Sequence, residues 1–62
     1  MKIVLKYGDH LEVFSSVAEA NKWLGGGMAT FRNDPPDEAW EEDDECEVIR
    51  EFVVLRGRLV EG

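Results

Sequence analysis

The chain has 62 residues, with 14 Asp and Glu against 7 Lys and Arg, a formal charge of −7 and a hydrophobic content of 44%. That apolar fraction supports a fold rather than wholesale disorder, and the length suits one small domain, residues 1–62, burying only ~60% of its unfolded surface. The acidic balance excludes direct binding to nucleic acid or anionic lipid as the first reading, because their phosphates repel it.

Residues 2–7 alternate, with Ile3, Leu5 and Tyr7 on one side and Lys2, Val4 and Lys6 on the other. Gly8-Asp9 is a turn signal, after which Leu11 and Val13 resume the period of two and predict an antiparallel hairpin. Ser16-Val17-Ala18-Glu19 fits a capping box, in which the Ser hydroxyl and the Glu carboxylate each satisfy an orphan amide. Val17, Ala20 and Leu24 then share a face, and Gly25-Gly26-Gly27 stops the helix with a left-handed cap. This helix should lie across the hairpin, since neither buries its apolar face alone.

Residues 28–32 (MATFR) read equally as a short strand or as loop. Asp34-Pro35-Pro36 opens a second helix, with Asp34 as N-cap, Pro35 at the first helical position and Asp37 and Glu38 in the favourable first turn. Helix throughout 34–47 would place five like-charged pairs at i,i+4 and five at i,i+3. Their repulsion totals roughly 2–5 kcal/mol, so the helix is expected to end near residue 42 and give way to extended chain. Residues 47–55 (EVIREFVVL) are the strongest strand. Apolar residues on both parities predict a central strand partly buried on both sides. Arg56-Gly57-Arg58 permits a bend or bulge, after which Leu59 and Val60 pair once more. The expected fold class is α+β: a small antiparallel sheet of three to four strands, β-β-α-β-β-like, with one amphipathic helix packed on it. The acidic segment 34–47 is a short acidic helix or loop inserted between that helix and the C-terminal strand.

Little in the chain suits catalysis. Cys46 and His10 are the only Cys and His. Glu45 and Glu47 flank the thiol and oppose a reactive thiolate, so Cys46 reads as a small core residue and His10 as an exposed loop residue. Gly25, Gly26 and Gly27 end a helix rather than cradle a phosphate, and adjacent acids offer no cleft for paired-carboxylate chemistry. The acids lack the alternating ligands and central glycine of a calcium loop, and one His with one Cys is not a zinc set. Catalytic residues, metal and cofactor are all expected to be none. A lone cysteine excludes an internal disulfide, no apolar run approaches a membrane span, and the start MKIVLKYGDH is too short and alternating for a signal peptide. A cytoplasmic monomer is expected.

What stands out is 34–47, DPPDEAWEEDDECE, which holds nine of the fourteen carboxylates and no basic residue. Such polarisation opposes compaction and points to a basic partner. The spacing is one charge per roughly 2.3 Å as helix or roughly 5 Å extended, bracketing the ~3.4 Å of a nucleic-acid strand. Asp37, Glu38, Trp40, Glu41, Glu42, Asp43, Asp44, Glu45 and Glu47 are the candidate partner-binding residues. Trp23 reads as core, and Trp40 either pins the segment to the fold or anchors a partner. In size, charge and α+β pattern the chain resembles the small acidic phage-encoded anti-CRISPR proteins that act on type I effector complexes, some as DNA mimics. The resemblance implies a non-enzymatic inhibitor acting in the host bacterial cytoplasm. Its target would be the basic nucleic-acid-binding surface of an effector (Cascade) subunit, type I-C and its large subunit being the most specific form. The alternatives are an acidic protein-binding adaptor or antitoxin-like regulatory module without nucleic-acid mimicry, and a merely solubilising loop.

Overall fold

The computed structural model describes residues 1–25 and 35–62. Among these residues the chain forms β1 (Lys2–Tyr7), β2 (His10–Phe14), α1 (Val17–Leu24), β3 (Glu38–Glu42), β4 (Val48–Leu55) and β5 (Arg58–Glu61). The strands make one sheet in the order β2-β1-β3-β4-β5, with every neighbouring pair antiparallel.

Two of the hairpins follow directly from their turn residues. Gly8 has φ 64 and is the only left-handed residue of the β1–β2 turn, the pattern of a type II′ turn. Arg56 (φ 55) and Gly57 (φ 76) are both left-handed, as a type I′ turn requires between β4 and β5. The bend expected at Arg56-Gly57-Arg58 is therefore a tight hairpin, and β5 is a full strand. Arginine is poorly suited to this backbone, whereas Asn-Gly is the favoured type I′ pair. Arg56→Asn is expected to stabilise the fold by about 0.5–1 kcal/mol, read as a higher urea midpoint at unchanged slope.

Helix α1 begins as its sequence suggests, with one difference. Ser16 is extended (φ −154, ψ 160) and its Oγ accepts from the Glu19 amide at 3.2 Å. The reciprocal half of the capping box is absent, because the Glu19 carboxylate accepts from the Ser15 hydroxyl instead. Gly25 closes the helix in the right-handed region (φ −75), so the left-handed cap is not at this residue. Gly26 and Gly27, the segment 28–32 and the Asp34 N-cap lie outside the described residues.

Alternation divides the sheet into two faces. Ile3, Leu5, Ala39, Phe52 and Leu59 point to α1 and form the core with Ala20 and Leu24 of the helix. Trp23 packs against that core as expected, donating from Nε1 to the Tyr7 hydroxyl at 3.1 Å and tilting against Phe14 at 5.9 Å. Helix α1 contacts β1 and also both edge strands, β2 and β5, so the sheet curls around it. The Asn21 side-chain oxygen accepts from the Leu59 amide at 2.8 Å, satisfying an edge donor of β5 from the helix.

The opposite face is open. Leu11, Val13, Val48, Val53, Leu55 and Val60 are 42–59% exposed there. This overturns the expectation that the 47–55 strand is buried on both sides. β4 is internal to the sheet, but only its Arg50, Phe52 and Val54 parity faces the helix, and Val53 and Leu55 face outward. A bulge between Glu41 and Glu42 also moves Val48 out of that parity, into register with Glu42.

The expected architecture is corrected at its centre. Among the described residues the sheet has five strands rather than three to four, and the structure is mostly sheet with one short helix. The acidic segment is neither a short helix nor a loop hung on the fold: 38–42 is β3, paired on both sides. The reason is electrostatic. A helix brings its carboxylates together at i,i+3 and i,i+4, whereas a strand sends successive ones to opposite faces and sets them beside neighbouring strands.

Candidate functional site

The register of β3 pairs each of its three acids with a base. Lys6 lies opposite Glu38, Lys2 opposite Glu42, and Arg50 opposite Glu41. The corresponding ion pairs are Lys6 Nζ–Glu38 at 3.6 Å, Lys2 Nζ–Glu42 at 3.5 Å and Arg50 Nη2–Glu41 at 2.6 Å. Cross-strand charge complementarity thus fixes how β3 sits between β1 and β4.

Glu41 is set apart from the other acids. It faces the helix side and is only 2% exposed. Its Oε1 accepts from both Nε (2.8 Å) and Nη2 (2.6 Å) of Arg50, whose guanidinium also stacks 5.3 Å above the Phe52 ring. The bonds to Glu41 hold the Arg50 guanidinium above its already high ordinary value. This is a structural ion pair; Glu41 has no surface to offer a partner.

Trp40 points the other way, to the open face, where Val4 is its register partner. Its indole N–H donates to Glu42 at 2.6 Å, and Glu42 in turn reaches Lys2. The indole thus bonds within its own strand, beside a shallow groove of about 270 Å³ that it lines with Glu38, Val48 and Glu51. Asp37 is likewise committed: its Oδ2 accepts from the Gly8 amide at 2.8 Å and its own amide donates to the Lys6 carbonyl at 2.7 Å.

The remaining candidates lie in the turn joining β3 to β4, residues 43–47. Asp43 organises it, Oδ1 accepting from the amides of Glu45 (2.9 Å) and Glu47 (3.0 Å) while its amide donates to the Glu47 carbonyl at 3.0 Å. The Asp44 side chain is 96% exposed and, among the described residues, meets only the N-terminal ammonium, at 3.1 Å. Glu45 and Glu47 are exposed and hold no ion pair or hydrogen bond through their carboxylates among the described residues. The nine sequence candidates therefore separate: Asp37, Glu38, Trp40, Glu41 and Glu42 build the sheet, and Asp43, Asp44, Glu45 and Glu47 form an anionic turn at its end.

No protein-family model, curated protein or solved structure matches this chain.

Cys46 belongs to the same turn and corrects the expectation of a core cysteine. It is exposed, left-handed at φ 65, and its sulfur accepts from Lys2 Nζ at 3.5 Å. Its contact with Cys46 first, and the Glu42 carboxylate after it, hold the Lys2 ammonium above its ordinary value. His10 starts β2 beside Tyr7, whereas Cys46 sits beside Lys2 at the other end of β1. The six-residue strand separates them by roughly 17 Å, so they do not form a pair. His10 Nε2 instead lies 2.6 Å from the Glu12 carboxylate. Among the described residues no helix is long and apolar enough to cross a membrane.

Proposed function

We propose that this protein is a non-enzymatic inhibitor that presents the acidic 43–47 turn to the basic, nucleic-acid-binding surface of another protein and blocks it by standing in for phosphates. The observation that carries this reading is the pre-formed turn itself. Asp43 holds the backbone, Asp44 meets the N-terminal ammonium while remaining exposed, and Glu45 and Glu47 project with no ion pair among the described residues. Four carboxylates within five residues give the turn a dense negative charge of the kind a phosphate backbone presents. The turn thus imitates a few phosphates, a smaller footprint than the whole 34–47 run suggests. The resemblance to anti-CRISPR proteins names the first partner to assay, a type I effector complex, with its type I-C large subunit at the head. Such a target places the action in the bacterial cytoplasm.

A gel-shift competition tests this. Added protein is expected to displace target DNA from the effector, more weakly as salt rises. Asp44→Lys with Glu45→Lys should weaken that displacement at least ~10-fold, about 1.4 kcal/mol, with thermal unfolding unchanged. No displacement by the wild type, or equal displacement by the variant, overturns the proposal. A partner that holds DNA and this protein together identifies an adaptor instead.

A further inference from the structure

We infer that the open face of the sheet is a self-association surface, on which a second copy of this chain packs face to face. The occupant follows from charge. The outward strand positions carry three cations (Lys2, Lys6, Arg58) and three anions (Glu38, Glu42, Glu51), so this face has no net charge on a molecule of −7. Two of its anions are already bound to Lys2 and Lys6 within the sheet. A nucleic acid finds no excess of cations here, and a strongly basic partner no excess of anions. An identical neutral face suits it.

The rest of that face is apolar. Half-buried Trp40 lies across the middle beside a buried Val4, with exposed Leu11 and Val13 on one flank and exposed Val53, Leu55 and Val60 on the other. Exposed apolar patches on this scale mark interfaces rather than ordinary surface. Two sheets so paired would pack ~10 Å apart, each with its helix outside, as in a sandwich. Fifteen outward strand positions, Val4 among them buried, against the ~20–30 residues a side of a standard interface, make this a weak dimer. The 43–47 turn lies at the sheet's end, so this inference does not depend on the proposed function. It departs from the monomer expected from sequence.

Salt gives the dimer a distinctive signature. Two molecules of −7 repel at long range, and screening shortens that reach from ~10 Å at 0.1 M to ~3 Å at 1 M. Dimerisation should therefore strengthen with salt, opposite to capture by a basic partner. Sedimentation velocity on the full chain, from micromolar to millimolar concentration at low and high salt, is expected to show the mass doubling, at lower concentration in high salt. Val53→Lys with Val60→Lys, and separately Leu11→Lys with Val13→Lys, should stay monomeric with wild-type circular dichroism. Each pair lowers the overall charge from −7 to −5 and so eases the repulsion; loss of the dimer then reports the apolar contact. A wild type monomeric throughout, a dimer weakened by salt, or dimers retained by both folded variants overturns the inference.

Discussion

Arg50→Ala is expected to lower the urea midpoint clearly, because it leaves the Glu41 carboxylate buried without its partner. The asymmetry of the pair sharpens the test. The Arg50 side chain is 43% exposed and the Glu41 side chain 3%. Glu41→Ala frees a guanidinium that water can reach, so it should cost clearly less than Arg50→Ala. Replacing both with Met should recover most of the loss, since apolar groups of similar volume need no counter-charge. Urea unfolding of the three variants reads this order directly. Equal losses from the two single changes, or no recovery in the double, would place Glu41 in solvent.

The same pair changes how the acidic segment is to be probed. Read as an exposed run, Glu41→Lys with Glu42→Lys is the natural way to abolish partner binding. In the sheet, that change puts a lysine against Arg50 and another against Lys2, so binding would be lost through unfolding. Asp44 and Glu45 are the informative positions.

Leu5→Ala carries the second large effect. Leu5 has no exposed surface and lies in the core cluster beneath α1. Truncation removes its burial and leaves a cavity, a loss of about 3 kcal/mol. Val13→Ala removes apolar atoms from the same sheet on the other face, at 55% exposure, and should stay within about 0.5 kcal/mol. A chain this small has only a few kcal/mol of stability, so Leu5→Ala should be largely unfolded at room temperature by circular dichroism while Val13→Ala remains native. Similar unfolding midpoints for both would mean that the two faces are not distinct.

The elements with strong local signals were legible in the sequence. The alternation of Ile3, Leu5 and Tyr7, the turn at Gly8, and the helix face of Val17, Ala20 and Leu24 all correspond to the structure. β3 was not legible, for a physical reason. Asp37-Glu38-Ala39-Trp40-Glu41-Glu42 has low strand propensity, and what makes it a strand lies elsewhere in the chain, in Lys2, Lys6 and Arg50. The calculated helical repulsion was the available clue: it argued against helix, and a strand between basic neighbours relieves it. The outward set of Val48 depends on a bulge that no local residue announces. Cys46 misled because hydrophobicity placed it in a core while the turn required a left-handed residue. Among the site residues, charge alone could not distinguish a buried Glu41 from an exposed Asp44.

Native-state amide hydrogen exchange tests most directly whether the acidic segment is a central strand. A strand paired on both sides has its amides bonded to one neighbour or the other. The amides of Ala39, Trp40 and Glu41 should therefore exchange as slowly as those of Val4 and Leu5, near the limit set by global unfolding. Those of Asp44 and Glu45 should be far faster. Exchange across 38–42 as rapid as at Asp44 and Glu45 would contradict the account, returning the whole run to the surface.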